Sequence, residues 1–325
     1  MASAEEAGEG AANGAVQTLQ IRDDVYLIAG AGQNIVMQTG TDGTYLINAG
    51  RAGASDAVLA AIKRITDQPV RYIYDTSAEA DAVGGNGALA QAGRSVYYTG
   101  PEVISSTRFL GNSLKTATIL APSAVLFRVS APTGQVAPFP TEDWPSQAFE
   151  TDRYYIYANH EPLEFYRVAA HDNTDSLVQL RREDVIVAGN VIDADRFPKI
   201  DVSHGGSIQG EIDALNQIID MSDVPMPFIW EPGGSYIVPA YGHLYQQIDV
   251  VQYRDMMVEA RDIVQDMIKR KMTLGQIQSA DPLVAYEGQY GRDSGAWTTK
   301  DFVQAVYQSL MQQAKPKSAR TARDE

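Results

Sequence analysis

Asp75-Thr-Ser77-Ala-Glu79-Ala-Asp81-Ala82-Val-Gly84-Gly85-Asn86 is a loop of small and polar residues that ends the β-rich run at residues 70–74. Two carboxylates, Glu79 and Asp81, sit on it two residues apart. Upstream, residues 25–28, 35–39 and 44–47 read as short strands, and Asp42-Gly43 is a strong hairpin turn. Ser55 fits an N-cap, and Val58, Leu59, Ile62 and Ile65 follow at helical spacing. Downstream, a short helix at 87–92 and a strand at 96–98 are expected.

Residues 100–150 carry Pro101, Pro122, Pro132, Pro138, Pro140 and Pro145 with little periodicity. They read as a long Pro-rich insertion, either a lid or an interface arm. Strands are expected again at 154–157, 163–168, 176–180 and 185–188. Ile208, Ile212, Leu215 and Ile219 mark a helix, and 228–230 with 236–238 read as a hairpin around Gly233-Gly234. The end of the chain is helical: Val250, Met257, Ile263 or Val264, Met267 and Ile268 form an apolar stripe that reads as core. Thr273-x-x-Gln276 and Thr298-x-x-Asp301 resemble helix-start boxes, the second weaker because Asp is shorter than Glu. Phe302, Val303, Val306, Tyr307 and Leu310 give the last amphipathic helix. Two β-rich halves with helices attached predict an α/β protein in which two sheets pack face to face between helical layers.

The composition bounds what the chain does. Of 325 residues, 44% are apolar and the net charge is −15, which is globular and acidic. Nucleic acid is excluded as a partner, because phosphate binding needs clustered Lys and Arg. No apolar run reaches the ~18 residues of a membrane span, so a soluble protein is expected. Zero cysteines exclude disulfides, thiolate zinc sites and cysteine nucleophiles. Residues 1–19 read as a flexible leader without a basic or strongly apolar signal region, and 314–325 as a disordered tail. The compartment stays open between the cytoplasm and a processed periplasmic or exported chain.

Four segments in series resemble the metallo-β-lactamase fold family. Tyr45-Leu-Ile-Asn48-Ala-Gly50 is similar to its strand end VDTG, and 75–86 lies over NTHxHxDHxGGN. Ala170-His171-Asp-Asn-Thr-Asp175-Ser176 resembles AHTDGDS and leads to Val187-Ala-Gly189-Asn190 at the TGD strand end. Val238-Pro-Ala-Tyr241-Gly242 stands at VPGHG. The tract Arg196-Phe-Pro to Ile219, with Gly205-Gly-Ser-Ile-Gln-Gly210, resembles the bacterial quinoprotein-relay-type hydrolases of that family. The resemblance implies an αββα four-layer sandwich over 20–247 and a helical extension over 248–313.

It also implies which positions once held metal. Ser77, Glu79 and His171 stand where the first cation's imidazoles would be. Asp81, Ala82 and Tyr241 stand at the second cation's ligands, and Asn190 at the bridging aspartate. Of these seven only Asp81 and His171 match, and a neutral Asn190 does not answer two adjacent dications. A two-zinc site is not expected. Glu79, Asp81 and His171 could still converge as a His and two carboxylates suited to one divalent metal. The alternative is structural: Asp81 holding loop amides and His171 hydrogen-bonded in a pocket. His243, His160 and His204 read as surface histidines, and the glycine pairs as turns.

Three functions are therefore expected to compete. The first is a catalytically degenerate protein acting as a binding or complex-forming subunit, with a protein partner or as a homo-oligomer and without a cofactor. The second is a mononuclear-metal or metal-free hydrolase using Glu79, Asp81 and His171. The third is a small-molecule carrier whose vacated cleft is floored by Ser77, Ala82, Asn190 and Tyr241.

Overall fold

The computed structural model describes residues 15–95, 115–194, 196–222 and 234–314. A first sheet of seven strands runs in chain order: β1 (Gln17–Gln20), β2 (Val25–Ala29), β3 (Ile35–Gly40), β4 (Gly43–Ile47), β5 (Val70–Tyr74), β6 (Thr118–Pro122) and β7 (Gln147–Phe149). Its first four strands are antiparallel and its last four parallel. The second sheet has the order β12-β11-β10-β9-β8. Its strands are β8 (Arg153–Ala158), β9 (Glu161–Arg167), β10 (Ser176–Leu180), β11 (Val185–Asp193) and β12 (Tyr236–Tyr241), with β12 parallel to β11.

Alternation along the strands builds the layers, since successive side chains point to opposite faces. Val36 of β3 enters the space between the sheets, while Ile35 and Met37 point outward to helix α1 (Ser55–Ile65). In β11, Val185 and Val187 face the other sheet, and Ile186 and Ala188 face the C-terminal helices. Between the sheets, the rings of Tyr74 and Phe165 stack at 4.0 Å and those of Phe149 and Tyr154 at 4.8 Å. The outer face of the second sheet is covered by α5 (Ile208–Met221), α6 (Gln247–Lys269) and α9 (Thr299–Gln313). Helices thus cover the outer faces of both sheets, as expected of the sandwich.

Residues 115–150 depart from the expected insertion. Thr118–Pro122 is wholly buried and supplies β6, Gln147–Phe149 supplies β7, and Ser123–Val129 forms α4 between them. The prolines that hid this pattern punctuate it: Pro122 ends β6 and caps α4, and Pro140 precedes a short turn at Thr141–Asp143. Residues 100–114 of that stretch, the strand expected at 96–98 and the 228–230 arm of the hairpin lie outside the described residues, as do the first fourteen residues and the tail from 315; the end of the expected 1–19 leader is instead strand β1, held by its ladder to β2.

Two smaller expectations also change. The cap of α1 is Ala54, not Ser55; a turn at Ala52–Ala54 leads in, and Ser55 Oγ donates to Ala52 O at 3.1 Å. The 75–86 loop contains the helical turns α2 (Ala80–Val83) and the start of α3 (Asn86–Ala92). Both helix-start boxes close in both directions; Asp301 reaches back to Thr298 as Gln276 does to Thr273. The methionine stripe of α6 is core, with Val250, Met257 and Val264 unexposed. Among the described residues no helix is long and apolar enough to cross a membrane.

Candidate functional site

The segments leaving β4, β5, β9 and β11, and the end of β12, meet at one rim of the sandwich. Asn48 follows β4 in the left-handed region at φ 68°, which Asn tolerates better than most residues. Its Oδ1 accepts from Thr76 N at 3.0 Å and Thr76 Oγ1 at 2.9 Å. Thr76 O accepts from Ser176 N at 2.9 Å, and Ala78 N donates to Thr174 Oγ1 at 3.2 Å. The loop is therefore clamped between the exit of β4 and the 168–175 loop. Asn86 Nδ2 donates to buried Asp75 at 2.9 Å, and burial pushes the Asp75 carboxyl well above the usual range.

The turn after β2 closes a second side. A side chain at Gly32 would stand 2.8 Å from Asp81 O, so glycine is what lets Gln33 N reach that carbonyl at 3.0 Å. Asn34 N donates to Ala240 O at 2.7 Å, and Gln33 Nε2 donates to Asn190 Oδ1 at 2.7 Å. Tyr241 Oη donates to Asp81 Oδ2 at 3.2 Å. Burial and then the Asp81 charge push the Tyr241 hydroxyl up, which keeps it the donor.

His171 lies on the loop from β9 to β10, and its backbone is fixed from the helical side. Asp201 N donates to His171 O at 2.7 Å, and Ser207 N to Ala170 O at 3.0 Å. A Cβ on Gly206 would fall 1.9 Å from His171 O, and one on Gly210 1.8 Å from Ala169 O. The glycine tract thus seats the start of α5 against the histidine loop. The ring is almost fully buried; Nε2 lies 3.8 Å from Glu79 Oε1 and Nδ1 lies 4.0 Å from Asp175 Oδ1. Neither ring nitrogen has a hydrogen-bond partner among the described residues. Burial lowers the pKa of the imidazole against the pull of Glu79 and Asp172, favouring the neutral ring. Lys199 Nζ stands 3.8 Å from Glu79 Oε1 on the solvent side.

The structure therefore brings Glu79 to His171 and leaves Asp81 with Tyr241. Among the described residues, the group with three candidate ligand atoms within 4.8 Å of one another is His171, Asp172 and Asp175, not Glu79, Asp81 and His171. His171 is therefore not the hydrogen-bonded residue expected: the loop's tight backbone contacts hold its ring 3.8 Å from Glu79 and 4.0 Å from Asp175, beyond hydrogen-bond distance, with no other partner among the described residues. Asp81 takes a phenol rather than loop amides as its partner. Ser77 and Ala82 are fully buried, so neither floors an open cleft. Ala82 packs in an apolar cluster with Ala78, Val83, Ala121, Val125 and Val129. Sequence reasoning missed Gln33, Lys199 and the buried acids Asp175 and Glu211. Glu211 had a signal, since it falls three residues after Ile208 on the apolar face of α5.

No family model matches the chain, and no curated protein does. Solved structures do. A metallo-beta-lactamase from Pontibacter korlensis superposes with a TM-score of 0.52 at 14% identity, covering 74% of this chain and 98% of that one. The stereoselective inverting sec-alkylsulfatase Pisa1 from Pseudomonas sp. superposes at 0.57 and 12% identity over 94% of this chain. This chain spans about half of that enzyme, 52% of its length. VMB-1 superposes at 0.50 and 11% identity, covering 75% and 97%. The fold is that of the metallo-β-lactamases.

At these identities the likeness is one of fold, and the chemistry rests on the residues present. A pair of zinc ions needs imidazoles, a bridging carboxylate and an open position for water. The positions that the sequence resemblance assigns to ligands offer an alanine methyl inside an apolar cluster, a buried serine, a phenol already donating to Asp81 and an amide already accepting from Gln33. This donor set does not fit two cations.

Proposed function

We propose that the chain is a catalytically degenerate metallo-β-lactamase-fold protein that acts as a binding or complex-forming subunit. One observation carries the reading: at Asn190, Tyr241, Asp81 and Glu79 the side chains are spent on one another and on their neighbours. Asn190 pairs with Gln33, Tyr241 with Asp81, and Glu79 with Lys199. A site prepared for cations leaves its donors convergent and open on one point. A binding role is supported by the edge strand β8, where Tyr155 and Tyr157 are 72% and 68% exposed. Exposed aromatic residues on a sheet edge suit a protein interface.

Elemental analysis of protein purified without chelator, hydrolase assays with added Zn(II) or Mn(II), and light scattering with pull-down from the native source test it. Absence of a two-metal centre, absence of turnover and a defined assembly are expected. Two bound metals, or ester, lactone or β-lactam hydrolysis lost in Asp81→Asn, would overturn the reading.

A second reading has one observation in its favour, the 3.8 Å approach of Glu79 to His171 Nε2. A neutral imidazole beside a carboxylate could serve metal-free acid–base hydrolysis. Activity without metal that disappears in Glu79→Gln would select it.

A further inference from the structure

Behind the histidine ring, on the side away from Glu79 and Asp81, lies a set of buried groups that the foregoing reading does not use. Asp172 and Asp175 are 2% and 1% exposed, and Glu211 is fully buried on α5. His171 Nδ1 and both Glu211 oxygens lack any partner among the described residues, and Asp175 Oδ1 has the Asn190 amide beside it without a well-formed hydrogen bond. A buried acceptor or donor left unpaired costs about 1–3 kcal/mol, so their gathering in one region needs an explanation. The remaining contacts leave room for one: Asp175 Oδ2 accepts from Asp172 N at 2.9 Å, which aims Oδ1 toward the imidazole, 4.0 Å away.

The charge count points the same way. Asp172, Asp175 and Glu211 carry three negative charges when ionised, and Arg128, 3.2 Å from Asp172 Oδ2, supplies one positive charge. The surplus of two equals one divalent cation. Either a cation or protons must supply it, because a bare carboxylate does not persist in an apolar interior. Glu211 acts on Asp175 through its field and does not join the three groups that lie within 4.8 Å of one another.

We propose that His171 Nδ1, Asp175 and Asp172 form a buried site for a single divalent cation of the Zn(II) or Mn(II) class, with Glu211 balancing its charge. One imidazole and two carboxylates are a donor set that such ions accept. Asp172 Oδ1 already accepts from Thr174 N and Oγ1 at 2.6 Å each, so its carboxylate is oriented in advance. The ligands are closed to solvent, so the ion is structural. It locks the 168–175 loop rather than working on a substrate in the cleft.

Metal stoichiometry on the full chain, read by elemental analysis and by the Co(II) visible spectrum, tests this. One ion per chain is expected, with the melting temperature rising by about 5 °C or more at saturating Zn(II) or Mn(II). Asp175→Asn should weaken binding by about 100-fold or more, while Asp81→Asn and Glu79→Gln keep the ion. Should Asp175→Asn fail to fold, Asp172→Asn and the imidazole hyperfine signal of the Mn(II)-loaded wild type decide in its place. Wild type that takes up no ion and shows no thermal shift overturns the site, shows protons holding the charge, and leaves the proposed function standing. An ion lost with Asp81→Asn overturns both, because it then sits in the cleft.

Discussion

Glu161 opens β9 at the seam between the two sheets, and replacing it with glutamine is the most informative single change for the scaffold. Its side chain is unexposed; Oε1 accepts from Arg182 N at 2.8 Å, and Oε2 has no partner among the described residues. Across the seam stands Asp24, whose Oδ2 accepts from Gln38 Nε2 at 2.9 Å and whose Oδ1 likewise has no partner among the described residues. Glu183 adds a third acid, and Arg182 the neighbouring positive charge. Burial first, then the charges of Glu183 and Asp24, push Glu161 from its ordinary 4.5 up to about 7. The folded chain thus keeps a proton that the unfolded chain releases. The contribution of Glu161 to stability is therefore fully present below about pH 4.5, declines as pH rises toward about 7, and is lost above it. A lift of that size has an upper value of about 3 kcal/mol, and screening at the solvent-accessible Asp24 and Arg182 reduces it to roughly 1–2 kcal/mol. Glutamine keeps the acceptor for Arg182 N and needs no proton. Urea denaturation at pH 5 and pH 8 should show the variant gaining about 1–2 kcal/mol on wild type between the two conditions. Parallel pH curves for the two proteins, within about 0.3–0.5 kcal/mol, would refute the reasoning.

Other changes follow from the same geometry. Gly210→Ala places a methyl 1.8 Å from Ala169 O, so a loss of about 3 kcal/mol or failure to fold is expected in urea melts. Asn48→Ala removes both bonds to Thr76 and puts a Cβ-only side chain at φ 68°, costing about 2–4 kcal/mol in urea melts; Asn48→Asp keeps both acceptor contacts but turns a buried carboxylate oxygen toward Gln33 Oε1 and Asn34 O, to which Asn48 Nδ2 donates at 3.4 and 3.5 Å, and should also destabilise. Phe165→Ala empties the stack against Tyr74 and should cost about 3–5 kcal/mol, read as a lower urea midpoint at unchanged slope. Replacing Ser77, Ala82 and Tyr241 by His and Asn190 by Asp should not by itself create a tight two-zinc site. Position 82 would press an imidazole into the cluster of Val83, Val125 and Val129, and calorimetry should show weak uptake with reduced stability.

Much of the scaffold was legible because strand alternation and helical spacing act locally. Val185-Ile-Val-Ala188 declares two buried faces, and Ile208 with Ile212 and Leu215 declares one side of α5. The stretch 115–150 was not legible, since five-residue β6 and three-residue β7 are too short for a period to emerge between prolines. At the site, the identities of Ser77, Ala82, Asn190 and Tyr241 could be read directly. Their partners could not, because Gln33 lies 157 residues from Asn190 and Tyr241 lies 160 from Asp81. Lys199 gave no signal at all: a surface lysine after a strand is ordinary until the fold sets it beside Glu79. The Gly205-Gly206 tract read as a turn, and only the Cβ clearances show that it seats the histidine loop.

What the rim of the sandwich can grip is measured most directly by the metal content per chain. Protein taken from its own host without chelator, weighed against an Asp81→Asn variant prepared alongside, should carry no more than one divalent ion and the same amount in both. Two ions per chain in the wild type, with loss on substitution of Asp81, would contradict the account.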